Sequence, residues 1–473
     1  MALGFAKSVK AGVAALALMA AAPVQVAAET LGEALVSAYN HSGLLQQNRA
    51  LLRAADEDVA ATFALLRPVI NWTGSVGRRY GNSASSQTGG FSRVSAATEV
   101  ELGLSFSLLL YDGGATQAAV EASKQTVLAT RQQLVSVEQN VLLQAVQAYM
   151  NVVRDAQIVE LRRNNLRLVS RELQAAKDRF EVGEVTRTDV ALAEARLAGG
   201  RAELAVAQGN LMQSKEQYAA AVGHAPGALV APRGAPSTPA RSEEAKQIAV
   251  RGHPDLRAVQ HNIKAAEFGV QRAEAALKPT VRLNSGVTLT QDLGHSNFYS
   301  NGGSVSLGLE APIYQGGRLS ALIRQAMANR DAQKGNLHVV RHSVRENAGV
   351  AWATLAAAGA QLEASGRQIE ASRIAFDGVR EEAKLGSRTT LDVLIAEQDL
   401  LDAESNRITA QTGKITAAYS LLASMGLLTA DHLNLKVEQY DPEAYYNMVK
   451  DAPAMKSKRG KQLDNVLRAL GKE

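Results

Sequence analysis

The chain of 473 residues contains no cysteine. That excludes disulfides, thiolate metal sites and a lipid carried on an N-terminal cysteine, so any membrane attachment has to come from the fold. Aromatic residues make up only 4% and prolines number 11, which argues against compact domains with bulky cores. Ala, Leu, Val, Gln, Glu and Arg instead fill long unbroken stretches, the profile of long helices packed through small side chains. Long apolar runs are missing too: beyond the first 28 residues each is interrupted by Arg, Glu, Gln or Asp within a few positions. No segment therefore reads as a transmembrane helix, and an exported chain without one is either soluble or a β-barrel. Charge of one sign is not in large excess, at +5 overall, so the balance gives no argument for nucleic acid.

Catalytic machinery is equally thin. The eight histidines are scattered, and only His338 and His342 share an i, i+4 face. No acidic ligand completes a metal site there, and the glutamate of H-E-x-x-H is absent. Neither a nucleophile motif nor a phosphate loop appears, so no enzyme activity, cofactor or metal is expected.

The opening segment reads as a secretory signal. Lys7 and Lys10 supply a positive start, Ala11 to Ala22 is apolar, and Val26-Ala27-Ala28 places small residues before a cut at Glu29. The apolar run is shorter than the roughly 20 residues a membrane anchor needs. Loss of residues 1–28 would remove two lysines and leave a formal charge of +3.

What the chain does have is a long internal echo. Tyr-Asp-Gly-Gly at 111–114 returns as Tyr-Gln-Gly-Gly at 314–317, an offset of 203 residues that persists downstream. Gly183 maps onto Gly386, Asp189 onto Asp392, Glu194 onto Glu397, Leu197 onto Leu400 and Gly223 onto Gly426. One structural unit is written twice, with the same elements in the same order. The first copy spans 29–223 and the second 253–426, joined by a Pro/Gly-rich connector at 224–252.

Within each copy the hydrophobic period changes. Leu31, Leu35, Leu44, Leu45, Leu51, Leu52, Val59 and Leu65 predict a helix over 29–67 ended by Pro68, matched by 254–277 ended by Pro279. After each proline the period becomes two. Ile70, Trp72 and Val76, then Val100, Leu102, Leu104, Phe106 and Leu108, alternate with polar residues and predict strands at about 69–80 and 98–110. Val281, Leu283, Val287 and Leu289, then Val305, Leu307 and Leu309, predict strands at about 280–290 and 303–311. Four strands of about ten residues with one apolar face fit a transmembrane barrel wall better than a soluble sheet. The segments joining the paired strands, 80–97 and 291–303, are rich in Gly, Ser and Asn, as extracellular loops are.

Long helices follow, at about 113–182 and 316–385, on the order of 100 Å each at 1.5 Å per residue. Val120, Val127, Leu134, Val141 and Ala148 fall seven apart, the spacing of coiled-coil packing, while Arg330 interrupts the same step in the second copy. Gly183 and Gly386 close these helices in left-handed turns. Return helices run over about 187–222 and 390–425, with Asp189 and Asp392 in their first turns, where carboxylates suit the helix dipole. The segment 427–473 reads as a polar, partly disordered tail, and Lys456, Lys458, Arg459 and Lys461 as its solvated charges.

This order of elements, given twice, resembles the TolC family of outer-membrane efflux proteins. Ala-Pro-Ile-Tyr-Gln-Gly-Gly at 311–317 is similar to that family's strand-to-helix junction, and Gly-Ser-Arg-Thr-Thr-Leu-Asp-Val-Leu at 386–394 to its turn signature. The match covers about 29–430. It implies a homotrimer in the outer membrane of a Gram-negative bacterium, three chains of four strands closing one 12-stranded barrel that a periplasmic α-helical barrel continues. Closure across chains also answers a physical need, since four strands alone leave lipid-exposed edges.

The resemblance further implies a passive exit duct for a tripartite efflux pump or a type I secretion system. Its partners would be outer-membrane lipid, a periplasmic adaptor and an inner-membrane pump or ABC exporter, with no nucleic acid. Arg388 would be the basic gate residue, Thr188 and Asp189 its partners, and Asp392 the lining of the constriction. Gly183, Glu184, Gly386 and Ser387 would form the tips met by the adaptor. Tyr111, Gly113, Gly114, Pro312, Tyr314, Gly316 and Gly317 would form the strand-to-helix junctions. Two positions depart from the family pattern: the tyrosine that shares the gate falls at Ala383, and a second pore aspartate at Ile395. The competing class, an exported coiled-coil adhesin or periplasmic scaffold, explains the heptads and the leader. It leaves unexplained why amphipathic strands lie between helices, twice.

Overall fold

The computed structural model describes residues 28–84, 92–232, 234–294 and 299–469. The expected leader at 1–28 lies outside these residues save for its last position, as do parts of the two expected loops. In chain order the elements are α1 (Leu31–His41), α2 (Gly43–Ala64), β1 (Val69–Ala84), β2 (Ser92–Tyr111), α3 (Ala115–Glu181), α4 (Arg187–Val222) and α5 (Ser242–Gly252). They continue with α6 (Pro254–Ala275), β3 (Thr280–Asp292), β4 (Tyr299–Glu310), α7 (Arg318–Lys384), α8 (Thr390–Ser424), α9 (Pro442–Val449) and α10 (Lys458–Ala469). Two compact units result. One comprises Gly43–Asn140, Pro239–Ala353 and Leu421–Glu473, the other Met1–Ser42, Val141–Thr238 and Thr354–Ser420.

The first of these units carries the sheet. Its order is β1-β2-β3-β4 with every neighbour antiparallel, so β2 and β3 join the two sequence copies along one ladder. Register aligns the apolar alternation. Trp72 faces Leu104, which faces Val287, while Leu108 faces Leu283, which faces Leu307. The opposite face is polar, with Arg79 3.4 Å from Glu99 and the Ser107 hydroxyl donating to Asn284 at 3.0 Å. Among the described residues nothing covers the apolar face: Trp72 is 72% exposed, Leu307 66% and Leu309 70%, an exposed apolar patch of the kind that marks a membrane or protein contact. Every residue of β4 is exposed.

The strands run longer than their alternation predicts. β1 has 16 residues, β2 20, β3 13 and β4 12, beyond the ~9–11 that span a bilayer. Residues 81–84 and 92–97, read as loop from their Gly, Ser and Asn content, pair Gly81 with Ser95 and Ala84 with Ser92. Ladder hydrogen bonds are made by backbone, so the pairing continues past the point where side-chain alternation fades.

The expected helix over 29–67 is split at Ser42, whose ψ of 108° leaves the helical region at a Ser-Gly step. α3 and α7 are 67 residues each. Val120, Val127, Val141 and Ala148 of α3 are buried, in the heptad register read from sequence. In α7, Val344 and Ala348 are buried whereas Val339 and Val350 stay exposed.

Two segments fold where the composition suggested none. Within the connector, α5 buries Ala245 and Ala249 and pairs Glu243 with Arg345 at 2.8 Å. Its acidic first turn and i, i+4 alanines were the available signals. The C-terminal segment, read as a partly disordered tail, carries α9 and α10 over part of its length. Tyr445 and Val449 bury against Ala60, with Leu463 and Leu467 of α10 packed around them. The Tyr445 hydroxyl donates to Glu57 at 2.7 Å. Tyr440 and Tyr446 flank the neighbouring cluster of Leu52, Val59 and Val127. These tyrosines supply apolar area that a polar composition hides. Tyr445→Ala is expected to weaken the attachment of residues 440–469 by about 3 kcal/mol. Faster amide exchange there and new tryptic cleavage at Lys456 would register it.

Candidate functional site

The second unit contains both helix turns. Each long helix closes on a glycine at positive φ, 83° at Gly183 and 78° at Gly386. The Gly183 amide donates to the Phe180 carbonyl at 3.0 Å and the Glu184 amide to Arg179 at 2.9 Å. In the second copy Gly386 donates to Ala383 at 3.1 Å and Ser387 to Glu382 at 3.0 Å. A side chain at either glycine would strain this left-handed turn.

Both return helices then start on a reciprocal cap. The Thr186 amide and hydroxyl donate to the Asp189 carboxylate at 2.9 and 2.7 Å, and the Asp189 amide approaches the Thr186 hydroxyl at 3.4 Å. Thr389 and Asp392 repeat the pattern at 3.0, 2.9 and 3.2 Å. Hydrogen bonds from Thr186 hold the Asp189 carboxyl below its ordinary value, and those from Thr389 do the same for Asp392. Both carboxylates are thus ionised at neutral pH while serving as caps.

An open cleft of about 770 Å³ lies between the two turns, lined by Glu184 and Asp189 from the first copy and by Gly386 and Arg388 from the second. Expected gate residues from both copies therefore meet here, and Thr188 is exposed nearby in sequence. Within the single chain, Arg388 does not pair with Thr188 or Asp189. Its Nε donates to Glu382 at 2.8 Å, six residues back across the turn. The Glu382 hydrogen bond and charge, with Asp392 adding, raise the guanidinium's pKa further.

At the strand-to-helix corners the glycines at 113, 114, 316 and 317 all have positive φ. A Cβ on Gly113 would sit 2.7 Å from Lys278 and 2.9 Å from the Ala275 carbonyl, a contact only glycine permits. Asp112 caps α3 through the amides of Gly114 and Thr116, at 3.0 and 2.7 Å. Gln315 takes its place in the second copy and accepts from Arg318 at 2.7 Å. Tyr111 is half exposed, whereas Tyr314 is 86% and its neighbour Ile313 fully exposed.

Sequence reading missed a polar seam above the turns. Glu397 is buried, accepts from Asn165 at 2.6 Å and leaves its second oxygen without a partner. Burial, then the charge of Glu172, pushes its carboxyl up to about 7, against the opposing pull of Arg196, Arg380 and the Asn165 hydrogen bond. Arg380 lies 3.6 Å from Glu172, and Arg196 donates to Gln398. The 203-residue offset gives no clue to it, because Glu194, the counterpart of Glu397, is half exposed and pairs with Lys177 at 3.0 Å.

A strand pair, a long helix and a return helix, given twice, define a class: membrane channels whose wall combines β-strands with long helices. The sequence model of the family described as outer membrane efflux protein matches residues 34–224 and 246–427, and the chain belongs to that family. It is 36% identical over 424 residues to the outer membrane efflux protein BepC of Brucella suis biovar 1, covering 89% of this chain and 91% of that protein. It is 26% identical over 382 residues to the outer membrane protein TolC of Vibrio cholerae serotype O1, covering 79% and 85%. Among solved structures, the CmeC outer membrane channel of Campylobacter jejuni matches the fold with a TM-score of 0.75 over 90% of each chain, at 16% identity. The protein is located in the outer membrane of a Gram-negative bacterium.

Glu397 gives the tips a pH dependence with a definite sign. Because the folded state raises this carboxyl from 4.5 to about 7, it favours the protonated acid. The stabilisation is complete below pH 4.5 and is lost as pH rises through about 7. Amide exchange around Asn165 and Arg380, corrected for intrinsic rates, should therefore accelerate across this window, and Glu397→Gln should abolish that change.

Proposed function

We propose that three copies of the chain close a 12-stranded barrel and that the assembly is the passive exit duct of a tripartite efflux pump or type I secretion system. The open four-stranded sheet carries this reading: among the described residues β1 and β4 each have a strand partner on one side only. Unpaired backbone groups at such edges are costly in hydrocarbon, where no water replaces the missing partner. The exposed side chains beside β4 favour the same conclusion. Ile313, Tyr314, Leu322 and Val339 follow it in sequence and are exposed in the single chain. A neighbouring copy covers them at no cost in new chemistry.

In this reading Gly183, Glu184, Gly386 and Ser387 present the turns to a periplasmic adaptor. Arg388, Thr188, Asp189 and Asp392 form the gate, and energy comes from the inner-membrane pump. The capping role of both aspartates supports a constriction role, because a capping carboxylate keeps its charge at neutral pH. Ile395, 52% exposed, puts an apolar side chain where the family pattern has a second acid.

Two measurements test the proposal. The detergent-solubilised assembly should have the mass of three chains, and a monomer would sink the duct outright. In planar bilayers, Arg388→Ser and Asp189→Ala should each raise single-channel conductance. Thr186→Ala removes the cap, at about 1 kcal/mol, but keeps the Asp189 charge. It should leave conductance near wild type; a rise equal to that of Asp189→Ala would assign the effect to helix capping instead of the gate.

A further inference from the structure

The duct needs no basic residues beyond its last return helix, yet residues 450–469 carry six: Lys450, Lys456, Lys458, Arg459, Lys461 and Arg468, against Asp451 and Asp464. α10 turns its apolar side inward, where Leu463 and Leu467 pack on the cluster of Ala60, Tyr445 and Val449. Helical spacing then puts Lys458, Lys461 and Arg468 on the opposite side, and all three are exposed. Among the described residues none of these three makes an ion pair, while Arg459 is held by Asp451 at 2.9 Å.

The location of this face follows from the contacts of the tail, which climb α2 towards the membrane strands. Tyr440 lies beneath the Arg49 guanidinium, 5.3 Å from it. Tyr445 reaches Glu57 at 2.7 Å, Val449 packs with Ala60, and the Ala452 carbonyl accepts from Arg67 at 2.8 Å. Pro68 and the first residue of β1 come next. The helices join the strands at this end of the sheet, so it is the periplasmic end. Lys278 stands at the equivalent place before β3.

We propose that α10 lays its basic face on the periplasmic leaflet of the outer membrane and binds the headgroups of anionic glycerophospholipids there. A protein partner fits the face less well. Its apolar residues are already spent inside the chain, and lysine is depleted from the buried centres of protein interfaces. A lysine-rich helix held beside a membrane-spanning sheet suits a diffuse anionic surface, which attracts each nearby cation. The inference rests on the sheet lying in the membrane and not on the gate or the cargo.

The absence of cysteine makes a direct test clean. A nitroxide on Asn465→Cys, an exposed position on the basic side, reports whether that side meets lipid. The full-length assembly is reconstituted in nanodiscs of phosphatidylcholine alone or of phosphatidylcholine with phosphatidylglycerol, and its mass is checked first, so that a failure to assemble is seen separately. Phosphatidylglycerol should lower collisions of the label with a water-soluble nickel relaxant severalfold. The protection should vanish with Lys458→Gln, Lys461→Gln and Arg468→Gln combined, and also at about 1 M salt, where charges are screened within ~3 Å. Equal accessibility in both lipids would overturn the proposal, as would protection that survives the triple substitution. Protection that appears only when an adaptor protein is added would overturn it too, and would give the face to a protein.

Discussion

A strand in hydrocarbon has to pair on both sides, and from that requirement the rest of this protein follows. Each unpaired amide or carbonyl on the outer edges of β1 and β4 faces a solvent that cannot bond it, at a cost of several kcal/mol per group. The chain contributes four strands, and its own ladder ends at both margins. The edges must therefore pair with other copies, and the helices attached to the strands are drawn into the same arrangement. The apolar residues left open on α7 are consistent with this, since they follow directly from β4 in sequence.

Duplication explains why the two turns share a backbone and why they need not share a function. Glycine closure and the Thr–Asp cap are repeated bond for bond, so turn geometry is common to both copies. The charges around it are not. The Arg388–Glu382 pair has Val185 and Arg179 at the corresponding first-copy positions, which cannot form it. Glu397 is buried against Asn165 where Glu194 sits half exposed on Lys177. Divergence after duplication has thus been spent on electrostatics, which change without disturbing the fold.

Much of this was legible in sequence because the relevant signals are periodic or depend on glycine. Alternation located four strands, heptads located α3, and the paired glycines located the turns. What escaped depends on partners distant in sequence. The apolar load of α9 rests on Tyr445 and Val449, whose burial requires Ala60, nearly 400 residues away. Hairpin ends at Ala84 and Ser92 pair through backbone, which leaves no mark on composition. Arg388 has a cross-turn partner in Glu382 that helical spacing does not predict, since the chain reverses between them. For the same reason the buried state of Glu397 could not be read from its matched counterpart.

The location of apolar and polar contacts around the turns also says what kind of motion they permit. Leu173, Ala176 and Ala193 form an apolar cluster inside the first hairpin, joining α3 to α4. Contacts between hairpins include Asn165 with Glu397, Arg196 with Gln398 and Arg380 with Glu172, all of them polar. Separating α3 from α4 would expose apolar surface to water. Separating one hairpin from the other, at these three links, exchanges two protein hydrogen bonds and one ion pair for contacts with water, which recover much of what is lost. The caps at Thr186 and Thr389 are local, so they travel with their helices and survive the movement. Glu397 lies at this seam, where burial and the neighbouring Glu172 oppose its ionisation while the Asn165 hydrogen bond favours it.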